Sequence, residues 1–199
     1  MNNIKSICVY SSSCNDLDKE FFDDAKLMGE LIAKNGYNLV YGGGCLGLMY
    51  ANASAVKLNG GQVVGVLPEK IYNLGLATPN CDNLIVTDDM RTRKARMDKE
   101  SDAVIALAGG FGTLEELSEM IVQKQLGYTT KPIVILNTNG FYDNLINFFN
   151  DIFEKKFANK DNKNCYYVAS TPQEAIEYIK KYVPQYFDVY QKIKIKPKD

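Results

Sequence analysis

The sequence has no histidine and no tryptophan among its 199 residues. Without histidine, Ser-His-Asp and Cys-His catalytic pairs and histidine-ligated zinc sites are excluded. Any catalysis must rest on carboxylates, Arg, Lys, Tyr, Cys, Ser, Thr or the backbone. An excess of one charge is missing too, because 23 Lys and Arg face 24 Asp and Glu, for a net charge of -1. That balance argues against a nucleic-acid partner, since domains that bind nucleic acid are usually strongly basic.

Clustered cysteines and long hydrophobic runs are also missing. The five cysteines include no C-x-x-C pair, so neither a metal cluster nor a disulfide framework is indicated. No carboxylate cluster has the spacing of a Mg²⁺ or Ca²⁺ loop, and we expect no metal and no cofactor. The first residues lack a signal-peptide pattern, and no apolar run approaches the ~20 residues that cross a bilayer. We therefore expect a cytoplasmic protein without a membrane partner.

Short β-branched segments alternate with amphipathic segments seven times along the chain. Segments such as 63–67 and 103–107 are apolar throughout, as strands buried on both faces are. This alternation is typical of a parallel sheet covered by helices on both sides. We expect one α/β domain over residues 1–185, Rossmann-like and three-layered, with a mainly parallel sheet of about seven strands. A basic C-terminal tail follows at 186–199, and residues 68–82 are predicted to form a long surface loop.

Two glycine-rich segments, 42–47 and 108–113, each follow a predicted strand and precede a predicted helix. In a doubly wound sheet both lie at the carboxyl edge, where ligands bind. Glycine permits close backbone approach and a helix N-terminus offers free N–H groups, so both segments suit a phosphate. The first also fits G-x-G-x-x-G, with Glu69 where a dinucleotide site would place its ribose-binding acid. Because that fingerprint normally follows the first strand and here follows the second, the match is weak.

The second segment continues to two glutamates. Thr113 and Glu116 have the spacing of a capping box, which would be a purely structural role. With a phosphate at the helix N-terminus, however, Glu116 would stand beside the substrate's sugar. Glu115 is rotated about 100° around the helix and is expected to face solvent or a lysine. A basic cluster at 91–96 has apolar neighbours at helical spacing, so an inward-facing cation there needs a partner such as an anionic ligand or Glu116.

Together these motifs resemble the Lonely Guy family of cytokinin-activating nucleoside 5′-monophosphate phosphoribohydrolases, long mislabelled as lysine decarboxylases. The main match is G-G-x-G-T-x-x-E at 109–116 with Arg93 and Lys94 upstream. The resemblance extends from about Ile7 to Tyr182, with further matching stretches at 41–49, 61–68, 125–127 and 131–132.

The resemblance implies hydrolysis of the N-glycosidic bond of adenosine 5′-monophosphate, or of an N6-substituted relative, to free base and ribose 5-phosphate. It also implies a homodimer or higher homo-oligomer. Arg93 and Glu116 match the family's catalytic pair. The expected substrate-binding residues are Lys94, Gly109, Gly110, Phe111, Gly112, Thr113, Leu114 and Glu115, with Gly43 and Gly44 from the first segment.

Some positions depart from the family pattern. Ala108 replaces the usual Pro, and Arg91-Thr92 replaces the usual His-Glu before the Arg-Lys pair. These changes leave the proposed catalytic pair intact and bear on base specificity. Two other functions stay open at this point. One is a dinucleotide-dependent oxidoreductase that uses residues 42–47, and the other is a regulatory module that binds a nucleotide without turning it over.

Overall fold

The computed structural model describes residues 4–79 and 81–187. The strands of this part of the chain are β1 (Ser6–Tyr10), β2 (Asn38–Tyr41), β3 (Val63–Pro68), β4 (Asn83–Thr87), β5 (Ala103–Ala106), β6 (Ile133–Leu136) and β7 (Tyr167–Ala169). The α-helices are α1 (Lys19–Lys34), α2 (Gly47–Leu58), α3 (Glu69–Tyr72), α4 (Met90–Lys99), α5 (Phe111–Gln125), α6 (Asp143–Glu154) and α7 (Pro172–Lys181). Two 3₁₀ segments, Thr138–Gly140 and Lys160–Cys165, flank α6.

All seven strands form one parallel sheet in the order β4-β3-β2-β1-β5-β6-β7. The chain builds outward from β1 to β4 and then returns to place β5 on the other side of β1. The strand order therefore reverses between β1 and β5, and ligands of doubly wound folds bind at such a switch point. The prediction of a three-layer α/β fold with a parallel seven-stranded sheet is confirmed.

The core consists of two hydrophobic clusters, one on each face of the sheet. Successive side chains of β1 alternate between them, with Ile7 and Val9 on one face and Cys8 and Tyr10 on the other. Helices α1, α2 and α7 cover the first face. Helices α4, α5 and α6 cover the second. Because α4 and α5 share a face, the basic cluster and the second glycine-rich segment come together.

The prediction of an irregular loop over 68–82 is partly wrong. Pro68 is the last residue of β3, where it pairs with Thr87, and one helical turn, α3, follows at once. A helix of four residues is too short to show periodicity, so the sequence carried no signal for it. None of the described helices is long and apolar enough to cross a membrane. Most of the predicted basic tail, residues 188–199, lies outside the described residues.

Candidate functional site

Arg93 lies on the inner face of α4, one turn before the buried Met97. The helix is capped by Asp89, whose Oδ1 accepts a hydrogen bond from the backbone N–H of Thr92 at 2.7 Å. Only 8% of Arg93 is exposed. Its Nε donates to the carbonyl of Val66 at 3.0 Å, and its Nη1 donates to Oε1 of Glu116 at 2.7 Å. The expectation that an inward-facing cation of this cluster needs a partner is therefore met by a carboxylate of α5.

The first glycine-rich segment makes room for this arginine. A Cβ atom on Gly42 would lie 2.2 Å from Nη2 of Arg93, so a side chain there would displace the guanidinium. Gly43 has a φ of 70° and packs against Leu67 of β3, and Gly44 packs against Met49. Gly42 was not among the predicted site residues. The sequence signal was a glycine at the end of a strand, which an ordinary tight turn explains equally well.

Glu116 is the buried partner of Arg93, with 8% of its surface exposed. Burial raises the pKa of its carboxyl group, while the charge and hydrogen bond of Arg93 act to lower it. Glu115 adds a smaller effect that raises the pKa of Glu116, and Lys94 opposes it. A carboxylate held this way is aimed by a fixed cation and protonates at higher pH than a free glutamate does.

The second glycine-rich segment forms an open helix N-terminus. Helix α5 begins at Phe111 with Gly110 as its N-cap, so Thr113 and Glu116 do not form the capping box that their spacing would allow. The side chain of Thr113 instead packs back on Gly109, where a Cβ would lie 2.1 Å from Oγ1. The first N–H groups of a helix have no acceptor within it. A Cβ on Gly110 or Gly112 would meet nothing within 4 Å, so an anion has room to approach these donors.

Two further residues of this segment differ in exposure. Phe111, the first residue of α5, is 92% exposed, which leaves its ring free to contact a ligand. The N–H of Leu114 donates to the carbonyl of Gly110 at 3.0 Å and is thus used inside the helix. Leu114 can therefore contact a ligand only through its side chain.

Tyr142 supports the loop between β5 and α5 and was missed by the sequence analysis. It is buried at the start of α6, and its hydroxyl donates to the carbonyl of Leu107 at 2.8 Å. Burial raises the pKa of this hydroxyl, so it stays protonated and remains a donor. The two residues are 35 positions apart, and no local pattern links them.

Lys94 and Glu115 face each other on the outer side of the Arg93–Glu116 pair. The ammonium of Lys94 bonds the carboxylate of Glu115 and lies 2.5 Å from Oε2 of Glu119. Glu115 is exposed and paired with a lysine, as expected from its position on the helix. Lys94, expected to bind substrate, is thus engaged by two carboxylates.

An apolar cavity of about 300 Å³ adjoins Arg93. Its walls are Ser13, Gly42, Gly44, Cys45, Leu46, Met49, Leu67, Pro68, Ile71, Leu76, Met90 and Arg93. The cavity is at the small end of the range of ligand pockets, which suits one planar or aliphatic group. Of the two predicted binding residues in the first segment, Gly44 lines it. Within residues 4–79 and 81–187, no group of three or more acidic or cysteine side chains is placed to hold a metal ion.

Proteins with similar sequences support a common family. A family model described as "Possible lysine decarboxylase" matches residues 49–179. A probable cytokinin riboside 5′-monophosphate phosphoribohydrolase of Oryza sativa subsp. japonica is 39% identical over 191 residues, which are 96% of this chain and 78% of the relative. A cytokinin riboside 5′-monophosphate phosphoribohydrolase of Arabidopsis thaliana is 33% identical over 189 residues, which are 95% of this chain and 89% of the relative.

Solved structures share the fold. The molybdenum cofactor carrier protein of Chlamydomonas reinhardtii superposes with a TM-score of 0.72 at 25% identity, covering 90% of this chain and 98% of the other. The molybdenum cofactor binding protein of Rippkaea orientalis gives a TM-score of 0.69 at 26% identity, with the same coverage. The likeness therefore extends over nearly the whole α/β domain.

Proposed function

The chain belongs to the family of cytokinin riboside 5′-monophosphate phosphoribohydrolases, whose family model bears the description possible lysine decarboxylase, and we propose that it hydrolyses the N-glycosidic bond of a nucleoside 5′-monophosphate. The substrate is adenosine 5′-monophosphate or an N6-substituted relative, and the products are the free base and ribose 5-phosphate. The observation that carries this proposal is the buried Arg93–Glu116 pair, 2.7 Å apart, one turn inside the open N-terminus of α5.

Glu116 is the group that serves the reacting carbon. As the bond from the anomeric carbon to the base nitrogen breaks, positive charge develops on the ribose. A carboxylate beside that carbon stabilises the charge and orients the attacking water. The water oxygen bonds to the anomeric carbon, the bonding pair leaves with the base, and one proton of the water ends on the base.

Arg93 cannot be the base in this reaction, because a guanidinium stays protonated at neutral pH. Its contact with Glu116 keeps the carboxylate ionised and fixes its direction. The bond from Arg93 to Val66 and the close approach of Gly42 hold the guanidinium in turn. Arg93 therefore acts on the reaction by aiming Glu116 and by offering its remaining donor edge to the substrate.

The substrate's phosphate binds at the start of α5. The backbone from Gly110 to Thr113 supplies the first N–H groups and the positive end of the helix, and both favour a phosphate. The base enters the apolar cavity beside Arg93, which Gly44 helps to line. Phe111 and Leu114 contribute apolar contacts at the mouth of the site.

A dinucleotide-dependent oxidoreductase is less well supported. The first glycine-rich segment follows β2, whereas the strand order reverses between β1 and β5. Glu69, its expected ribose-binding acid, is exposed at the start of α3. The similarity to molybdenum cofactor carrier and binding proteins is the observation that favours a third function, binding without turnover. An assay for released base separates the three functions.

Incubation with adenosine 5′-monophosphate, followed by chromatography, tests the proposal. We expect free adenine and ribose 5-phosphate in equal amounts, with turnover that persists in a chelator because no metal takes part. Adenosine, which lacks the phosphate, is the matched control and should react far more slowly. Tight nucleotide binding with no base released from any nucleoside monophosphate would favour a binding module. Reduction of a pyridine nucleotide would favour the oxidoreductase.

We also propose that the protein is a cytoplasmic homodimer or higher homo-oligomer, with residues 1–185 as its hydrolase domain and no nucleic-acid partner. All five cysteines are free, as in a reducing compartment. An apolar groove of about 290 Å³ lies between α5 and α6, and Phe148 on its edge is 60% exposed. Exposed aromatic surface of this kind is typical of an interface.

A further inference from the structure

The ammonium of Lys94 already has two carboxylate partners. Its side chain is 15% exposed, while the carboxylates of Glu115 and Glu119 both contact its ammonium. The three charges sum to about -1, so this cluster presents no positive charge to a phosphate. To reach a phosphate, Lys94 would have to leave two partly shielded ion pairs.

The two bridges between α4 and α5 come from neighbouring residues. Arg93 bonds Glu116 on the inside, and the next residue, Lys94, bonds the carboxylates of Glu115 and Glu119 on the outside. Glu115 and Glu119 are one turn apart on α5, so the ammonium sits between two successive turns of that helix. Such an arrangement fixes the position of α4 along α5.

We propose that Lys94 is a positioning residue, which with Glu115 and Glu119 fixes α4 against α5 and thereby sets the Arg93–Glu116 contact, without contacting the substrate's phosphate. This inference rests on the proposed hydrolase function, since the contact that it sets is the proposed catalytic pair. It differs from the expectation that Lys94 binds the nucleotide directly.

The charges around Glu116 give this proposal a signature. Arg93 and Lys94 face it from α4, Glu115 from α5, and the neutral Cys8 and Tyr10 from β1. Lys94 lowers the pKa of Glu116 and Glu115 raises it. Replacing Lys94 by Met should therefore move the acid limb of the rate profile to higher pH. Replacing Glu115 by Gln should move it to lower pH.

Steady-state kinetics with adenosine 5′-monophosphate test the positioning role. We expect Lys94→Met to lower kcat by roughly 10–100-fold, the scale of a misplaced catalytic group, with KM nearly unchanged. Lys94→Arg should recover most of the loss, because it keeps a cation between the two carboxylates. Lys99→Met removes an exposed lysine from the same helix and should behave as the unmodified protein.

Calorimetric titration with ribose 5-phosphate separates the two roles of Lys94 even if turnover is absent. A positioning residue leaves this affinity within about threefold of the unmodified value in Lys94→Met. A phosphate ligand would lose at least tenfold in affinity, and kcat would then be spared while KM rises. A loss of affinity of this size overturns the inference. So do pH–rate profiles in which the acid limbs of Lys94→Met and Glu115→Gln do not move in opposite directions. An unmodified protein that releases no base overturns the proposed function instead, and the titration still decides the role of Lys94.

Discussion

Glu116 and Glu115 are adjacent in sequence and differ in burial and in ion-pair partner. Glu116 is buried against Arg93, whereas Glu115 is exposed and paired with Lys94. We predict that Glu116→Gln and Arg93→Ala each lower turnover by roughly 10²–10⁴-fold, the usual effect of one positioned acid–base or electrostatic group. Glu115→Gln should cost far less. Base release by chromatography gives the rates, and circular dichroism shows whether each variant folds.

The opposite ranking, with Glu115→Gln inactive and Glu116→Gln active, would reverse the assignment on this face of α5. A second outcome is also informative. If Glu116→Gln only lowers the melting temperature, the ion pair with Arg93 serves the fold and not the chemistry.

Lys124 carries a different prediction at the scale of one residue. It is fully buried near the end of α5, where its Nζ donates to the carbonyl of Lys131 at 2.9 Å and lies 4.8 Å from the centre of the Tyr182 ring. Burial lowers the pKa of Lys124 from 10.5 to about 8. Between those two pH values the unfolded chain holds a proton that the folded protein lacks, so stability rises with pH.

We predict that raising the pH from 8 towards 10 stabilises the protein through this group, by up to about 3 kcal/mol for a shift of this size. Lys124→Met keeps the bulk of the side chain and removes the titration. The difference in unfolding free energy between the two proteins, measured by urea denaturation, should therefore change with pH over this window. A constant difference would mean that Lys124 titrates at its ordinary value.

At the scale of elements, the loop after β2 leaves the space that the guanidinium of Arg93 from α4 occupies. We predict that Gly42→Ala lowers turnover nearly as much as Arg93→Ala, because its methyl group would lie 2.2 Å from Nη2 and displace the guanidinium. Gly60→Ala is the matched control. Gly60 lies in open space at a φ of 77°, so an alanine there costs some stability and should leave turnover unchanged. Equal rates for Gly42→Ala and the unmodified protein would contradict this role.

The elements also show what the sequence could predict and what it could not. The alternation of apolar and amphipathic segments predicts a parallel sheet. A cation that faces inward needs a partner, and this requirement indicated a contact between Arg93 and Glu116. Three contacts depend on where each helix lies over the sheet: the close approach of Gly42 to Arg93, the bond from Tyr142 to Leu107, and the double pairing of Lys94. The helix positions are set by packing between segments that are remote in sequence, and no local pattern encodes them.

At the scale of the whole molecule, the remaining question is what covers the groove between α5 and α6. Phe148 stands at its edge and is more than half exposed, while Ile121 and Phe153 lie within it. A second copy of the chain would bury this apolar surface by a twofold contact, in which the same patch meets itself.

We therefore predict a dimer at micromolar concentration in sedimentation experiments. Phe148→Lys should shift it towards the monomer, because burying an unpaired ammonium in such a contact is costly. Phe157→Lys changes another exposed phenylalanine just beyond α6 and should leave the dimer intact. A monomeric mass for the unmodified protein, or equal effects of the two substitutions, would place the groove outside any interface between copies.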